Sequence, residues 1–213
     1  MAETMKVYVN QDSPRAESEG VEINAKGTKR GELCVVDFYT QMALEGRVFQ
    51  VRAGTVTAPL TGDILVTDTA ADMCADAAAG TTIIPVYLNV TLEGLNGGTV
   101  PECAAKSVGV VSSAGTAFVP LPLYMGGNAA ASTARVAAAG GVTVTAELAT
   151  TTRRHFANLA AAAADNILAD IVFRTPPVLV GAACFYVQVA GTTAGPLYFA
   201  SFDYIELLTV NIS

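Results

Sequence analysis

Charged side chains are scarce in this sequence of 213 residues. Only 15% of the residues are Asp, Glu, Lys or Arg, while 52% are hydrophobic; an average soluble domain has about 25% charged residues. Alanine, glycine, threonine and valine take up the difference. Few charges and many small side chains are typical of a surface that identical neighbours cover. A monomeric sandwich with an apolar surface is the alternative.

The residues that most enzymes use are also missing. The chain has one histidine, His155, so any Ser/His/Asp or Cys/His catalytic group must include it. No nucleophile elbow, dinucleotide fingerprint or zinc-protease motif is present, and residues 94–98 lack the lysine that a phosphate loop needs. Glu147 and Glu206 can pair for glycoside chemistry only through tertiary contacts. We therefore predict no catalytic residue and no enzymatic activity.

The sequence has no metal-binding spacing either. Its four cysteines are widely separated: Cys34, Cys74, Cys103 and Cys184. No CxxC or Cys/His pattern joins them, so we expect free thiols, although two disulfides are possible and the sequence does not pair them. Asp68, Asp72 and Asp76 are spaced four apart, but an EF-hand needs alternating ligands, a central glycine and a final glutamate. We predict no metal and no cofactor.

No basic segment suited to nucleic acid is present. The formal net charge is −7, the isoelectric point is about 4.6, and Lys29 and Arg30 are too few to form a basic patch. We therefore expect no direct binding of nucleic acid. The N-terminus is polar, unlike a secretory leader, and no uncharged apolar run reaches the ~18 residues of a membrane helix. These features predict synthesis in the cytoplasm and no membrane span.

The C-terminal region has the clearest strand pattern. Residues 184–189 and 198–205 alternate with period two and are rich in aromatic and β-branched side chains. Residues 191–196, GTTAGP, have the glycine and proline of a turn. The pattern predicts a β-hairpin of two long strands, with the rest of the chain supplying its partners. Both faces are apolar, so these strands need cover from a second sheet or another subunit.

A second strong strand is predicted at residues 82–93. Its apolar side chains alternate onto one face: Ile84, Val86, Leu88, Val90 and Leu92. A slip of one residue would expose all of them, so the register is strongly fixed. Pro85 has no amide proton and predicts an edge position or the start of the strand.

Weaker patterns complete the organisation of the chain. Further strands are predicted at residues 48–57, 64–69, 103–112, 142–148 and 167–173. Loops are predicted at residues 68–80 and 125–141. Residues 33–44 suit a strand or a short helix, and residues 158–170 a short helix or a loop. The alternate prolines of residues 118–124 predict an extended segment at a sheet edge or a subunit contact.

Arg153 and Arg154 are a charged pair beside the single histidine. Arginine suits ion pairs at interfaces, so the pair can bind an acidic patch of a neighbouring copy. The alternative is that both arginines are solvated in a loop. For either arginine taken alone, this second interpretation is the favoured one. The chain has no tryptophan and few aromatic residues outside the C-terminal region, which disfavours a sugar-binding lectin.

About eight strands joined by loops of varied length predict an all-β fold. Strands and helices do not alternate, which argues against a parallel α/β fold. We expect an antiparallel β-sandwich of the jelly-roll type over residues 31–213. An N-terminal arm or edge strand is expected over residues 1–30, with a short strand candidate at residues 5–9.

Three segments resemble virion proteins of bacterial viruses, in particular small structural proteins with a jelly-roll fold. They are residues 46–60, residues 80–86, and residues 176–181 together with 202–207. The resemblance implies a self-assembling capsid or coat subunit of a bacteriophage. Its partners are then copies of itself, in a trimer, ring or capsid lattice, and other virion proteins. The location implied is the virion, assembled in the host cytoplasm.

Two other classes of function stay open. One is a virion decoration, spike or receptor-binding module, a non-enzymatic binding protein with variable tip loops such as residues 125–141. The other is an enzyme that uses His155.

Overall fold

The computed structural model describes residues 37–66, 69–96, 100–137, 141–157, 166–192 and 194–211. The predicted N-terminal arm and Cys34 lie outside these residues. The first element is a short helix, α1 (Phe38–Leu44), for which Asp37 is the N-cap. One Asp37 carboxylate oxygen accepts hydrogen bonds from the amides of Tyr39 and Thr40, both at 3.1 Å. The segment that suited a strand or a helix is therefore helical where it is described.

Sixteen strands follow in the described part of the chain, and every ladder between them is antiparallel. They are β1 (Val48–Ala53), β2 (Leu60–Thr61), β3 (Ala70–Ala71), β4 (Met73–Ala77), β5 (Thr81–Gly94), β6 (Pro101–Val108), β7 (Ser113–Ala114), β8 (Thr116–Phe118), β9 (Leu121–Pro122), β10 (Thr133–Val136), β11 (Val142–Thr143), β12 (Thr152–Ala157), β13 (Asn166–Val172), β14 (Leu179–Val180), β15 (Ala183–Gly191) and β16 (Leu197–Leu208). A 3-10 turn, Thr209–Asn211, ends the described chain. The predicted all-β, antiparallel character is confirmed. No helix among these residues is long and apolar enough to cross a membrane.

Two large sheets pack against each other. The first has the strand order β13-β5-β16-β1-β9, with β14 also pairing with β5 and β2 with β16. The second has the order β12-β6-β15-β4-β10-β8, and a small third sheet has the order β3-β11-β7. The main core lies between the large sheets, where Phe185 of β15 and Phe202 of β16 meet with ring centroids 5.0 Å apart. This arrangement is sandwich-like.

The two C-terminal strands form as predicted, but the predicted hairpin between them is wrong. β15 pairs with β6 and β4 in the second sheet, and β16 pairs with β5 and β1 in the first. The turn between them therefore crosses from one sheet to the other. Alternation fixes which side chains face the core, but it does not say which strand is the hydrogen-bonded neighbour.

A β-bulge divides β5, which the sequence predicted as one uninterrupted face. Tyr87 pairs with Asp203 and Pro85 with Tyr204, so Val86 has no partner on β16. The extra residue reverses the alternation. Leu88, Val90 and Leu92 face the main core as predicted, whereas Ile84 and Val86 belong to a cluster on the outer face.

Several weaker predictions are wrong because strands built from small or polar residues show no apolar alternation in the sequence. Residues 73–77 and 133–136, predicted as loops, form β4 and β10. All five residues of β4 are buried because both faces are covered, so no alternation was visible. Arg153 and Arg154 lie on β12 and not in a loop. Conversely, residues 55–58 turn back on themselves, and residues 64–66 and 144–148 form no strand.

Each large sheet also has an outer face. Helix α1 packs on the outer face of the first sheet, where Met42 and Ala43 contact a cluster formed by Val48, Val86, Ile205 and Leu207. The small sheet packs on the outer face of the second sheet, in a cluster that contains Ala71, Cys74, Val108, Val142, Val144, Cys184 and Tyr186. These two outer faces carry two of the sites described below, an apolar groove and a cluster of cysteine and aspartate side chains.

Candidate functional site

An apolar groove runs beside α1 on the outer face of the first sheet; we call it the outer groove. Its cavity volume is about 300 Å³. Its walls come from α1, the first sheet and the segment after β9: Tyr39, Thr40, Ala43, Val48, Val86, Tyr87, Leu123, Val172 and Asp203. Most of these side chains are apolar, and Leu123 and Val172 are 40% and 58% exposed.

The prolines around β9 place apolar side chains at the rim of the outer groove. β9 pairs with β1 through only two residues, and the amide of Leu123 donates to the carbonyl of Val48 at 2.9 Å. The predicted sheet-edge position of this segment is confirmed. The chain beyond β9 leaves the sheet, with Tyr124 and Met125 exposed. Phe38 and Leu44 of α1 are exposed as well.

One polar group lies on the floor of the outer groove. Asp203 accepts a hydrogen bond from the side-chain amide of Gln50 at 2.9 Å. Burial raises the pKa of Asp203, and the bond from Gln50 opposes this increase. The groove therefore combines apolar walls with one carboxyl group.

A second cavity, which we call the polar pocket, lies where β12 and β6 approach residues 173–177. Its volume is about 260 Å³, and Ser107, Thr152, Arg153 and Arg154 line it. Arg154 donates to the carbonyl and hydroxyl oxygens of Thr175, both at 3.0 Å. Its guanidinium also lies 5.4 Å from the ring centroid of Phe173.

The residues considered for catalysis have structural partners. Glu147 lies 3.4 Å from Arg153 and 3.8 Å from the buried amine of Lys106. Glu206 accepts the amides of Ala131 and Ser132 at 2.9 and 2.7 Å. The two carboxylates thus have separate partners within the protein, and these contacts do not bring them together as a catalytic pair.

His155 has its backbone in β12, paired with Ala104 of β6. The prediction that the chain is not an enzyme stays a prediction.

Asp72 was considered only as a calcium ligand, but it links the two large sheets. It is 5% exposed, and its carboxylate accepts the Val189 amide at 2.5 Å and the Tyr198 hydroxyl at 2.8 Å. Burial raises its pKa to about 7; the two hydrogen bonds oppose that increase and the charge of Asp63 adds to it. The same burial, together with Asp72, raises the pKa of Tyr198 well above its ordinary value. No local sequence signal marks this pair, because the two residues are far apart in the chain.

The cysteines within the described residues are free and buried: Cys74, Cys103 and Cys184. This agrees with the expectation of free thiols. Burial raises the pKa of Cys103 to about 12 and that of Cys184 well above its ordinary value, so both stay protonated at neutral pH.

Comparison with known proteins identifies no relative: no protein family, curated protein or solved structure matches this chain. Its function therefore has to be inferred from the outer groove, the polar pocket and the buried polar groups.

Proposed function

We propose that the two large sheets form a jelly roll. Eight strands contain five or more residues: β1, β4, β5, β6, β12, β13, β15 and β16. The outermost of these in sequence pair with each other and the pairing continues inwards: β1 with β16, β4 with β15, β5 with β13, and β6 with β12. The pairing supports the proposal because a jelly roll is one long antiparallel hairpin rolled up in this way.

We propose further that the chain is a self-assembling coat subunit of a bacterial virus. Viral capsid proteins often have a jelly-roll fold, but lectins and cupins share it, so the fold alone does not assign the function. The low share of charged residues, 15%, supports a surface that other subunits cover. The partners are copies of this chain, in a trimer, ring or lattice, together with other virion proteins.

The outer groove is the observation that carries this proposal. Phe38, Leu44 and Met125 lie within two residues of its walls in the chain and are exposed, and exposed apolar surface marks interaction sites. β9, at the edge of the first sheet, lies beside it and leaves an edge against which another chain can pack. A second copy of the chain is the occupant that fits a composition suited to identical neighbours.

The variant Leu123→Asp tests the outer groove as a subunit contact. We expect wild-type protein to form closed particles or rings, seen by light scattering and electron microscopy. A carboxylate at the groove should weaken assembly about 100-fold or more, since charges are depleted from interface cores. Val56→Asp is the control, because Val56 is also exposed, at 60%, but lies in the turn between β1 and β2. A wild-type chain that stays monomeric at high concentration would contradict the proposal.

The polar pocket favours a second candidate, a decoration, spike or receptor-binding module. Ser107 and Thr152 share a hydrogen bond between their hydroxyls, so Arg153 and one of these two hydroxyls can donate hydrogen bonds to a carboxylate- or hydroxyl-rich ligand such as an acidic glycan. This candidate predicts binding on a glycan array that Arg153→Gln abolishes. An array without hits, combined with assembly of the wild-type chain alone, would favour the coat subunit.

We propose no catalytic role for His155. The variant His155→Ala should assemble like the wild type. A hydrolytic or transfer activity of the wild type that this variant loses, with assembly intact, would contradict the proposal.

A further inference from the structure

Three side chains that bind metals in many proteins meet beneath the small sheet. Cys74 and Asp76 lie two residues apart on β4, and Cys184 pairs with Asp76 from β15, so all three are on the outer face of the second sheet. Their sulfur and carboxylate oxygen atoms lie within 4.8 Å of one another, and all three residues are buried.

Ser112 closes one side of this cluster. Its amide donates to Asp76 Oδ1 at 2.8 Å and its hydroxyl to Oδ2 at 2.6 Å. The Cys74 thiol donates to the Ser112 hydroxyl oxygen at 3.1 Å. The carboxylate is thus held in one orientation and keeps unused lone pairs. Hydrogen bonds of this kind orient the ligating carboxylates of metal sites.

A cationic side chain lies on the same face of the second sheet as the cluster. Arg135 of β10 pairs with Cys74, which places it on the same face. Its Nη1 donates to the Ala114 carbonyl at 3.3 Å, and its buried Nε has no hydrogen-bond partner among the described residues. A divalent cation beside this guanidinium needs anionic ligands, which two thiolates and one carboxylate would supply.

We propose that Cys74, Asp76 and Cys184 bind one divalent cation of the zinc type. Two thiolates and a carboxylate oxygen are zinc ligands, and a tetrahedral site with their usual bond lengths separates the ligand atoms by about 3.4–3.8 Å. The separations here are at most 4.8 Å, so side-chain rotations that move the ligand atoms by about 1 Å complete the site. The Ser112 hydroxyl oxygen or a water molecule takes the fourth position.

Binding breaks two S–H bonds and forms two metal–sulfur bonds. The two protons pass to solvent, and neither the metal nor sulfur changes oxidation state. The bound ion joins β4 to β15 and, through Ser112, to the segment that leads into the small sheet. The bound ion would therefore stabilise the packing of the small sheet on the outer face of the second sheet. This role is distinct from the proposed assembly function.

The test is a titration of the full-length, metal-stripped chain with Co²⁺ and then Zn²⁺, in a phosphine reductant. Because the site is covered, the ion is also added during refolding. We expect one ion per chain by native mass spectrometry, release of two protons, and a thiolate-to-cobalt charge-transfer band that Zn²⁺ abolishes. Bound zinc should also protect Cys74 and Cys184 from alkylation, as mapped by peptide mass spectrometry.

Matched variants separate this site from other thiols. Cys184→Ser and Asp76→Asn should weaken binding by at least about 100-fold. Cys103→Ala should bind like the wild type, because Cys103 faces the main core. If a ligand variant fails to fold, the alkylation pattern of the wild type decides.

Two results would overturn the proposal. One is the absence of stoichiometric metal from both the titrated and the refolded chain. The other is a metal whose binding depends on Cys103 or Cys34 but survives in Cys184→Ser.

Discussion

The outer faces of the two large sheets are covered in different ways. On the second sheet the chain covers its own face, and Val142 and Val144 are buried against Tyr186 and Val108. On the first sheet α1 covers one end only, and the outer groove stays open beside it. The small sheet therefore buries apolar side chains on the second sheet, whereas the first sheet keeps exposed apolar surface that the proposed assembly would cover.

This difference predicts that different residues determine the stability of the single chain and its proposed assembly. Substitutions under the small sheet should act on the free energy of unfolding of a single chain. Substitutions in the outer groove should act on the contact between chains. Four predictions test this division, beginning with the largest expected effect.

The covered face should be the more sensitive to charge. Val142 is fully buried, so Val142→Asp would bury a carboxylate among apolar and thiol groups. We expect a loss of roughly 4–5 kcal/mol in the free energy of unfolding, measured with urea. Val142→Ala, which leaves only a small cavity, should lose about 2 kcal/mol. Equal losses in the two variants would show that this face is open to water.

Asp72 should make stability depend on pH. Its pKa is about 7 in the folded chain against an ordinary value of 3.8, so between these values the folded chain holds a proton that the unfolded chain has lost. The free energy of unfolding should therefore fall as the pH rises from about 4 to about 7, by roughly 4 kcal/mol in total.

Urea titrations at several pH values, in the presence of a chelator, check this dependence. Asp72→Asn should flatten it, because the amide does not titrate. The titratable groups that interact with the carboxylate are Tyr198, Asp63 and Cys103; none of them is a cation that would reverse the direction. A slope that persists in Asp72→Asn would assign the effect to another group.

Two glycines with the same backbone conformation compare the covered and open regions directly. Gly115 has φ +71° and Gly46 φ +70°, so alanine is strained by about 1 kcal/mol at both. At Gly115 the added Cβ would also lie 2.7 Å from Val142 Cγ2, whereas at Gly46 it would meet nothing within 4 Å. We expect Gly115→Ala to lose roughly 2–3 kcal/mol and Gly46→Ala about 1 kcal/mol in thermal unfolding. A larger loss at Gly46 would contradict the packing of the small sheet.

The smallest effect on folding is expected in the outer groove. Leu123 is 40% exposed, so Leu123→Asp should change the free energy of unfolding of the dilute, unassembled chain by only about 0.5 kcal/mol. Unfolding in urea at low protein concentration measures this value. A loss above about 2 kcal/mol would mean that Leu123 supports the fold of the subunit, and the assembly test would need another residue.

The sequence predicted the strands whose two faces differ in polarity. β5, β6, β13 and β16 were located because their apolar residues alternate or follow turn signals. β4 was missed because it is buried on both faces and built mainly from small residues. The bulge at Val86 was missed because its effect depends on pairing with β16, which no local pattern encodes.

The candidate sites were less predictable than the strands. The proline-rich segment around β9 was predicted as an edge or contact because proline lacks a ladder donor. The cluster of Cys74, Asp76 and Cys184 has no regular spacing, since strand pairing brings Cys184 to the other two. The link from Asp72 to Tyr198 is hidden for the same reason. Sites formed by distant pairing leave no short motif to read.

The pairing of β1 with β16 has a consequence for the newly made protein. Val48 pairs with Ile205, so β1 meets β16 only after the long stretch of chain between them has left the ribosome. Until then β1 can pair only with the short strand β9, and completion of the first sheet waits for contacts that are remote in sequence. A nascent chain that still lacks β16 therefore leaves β1 and β5 without the strand that lies between them.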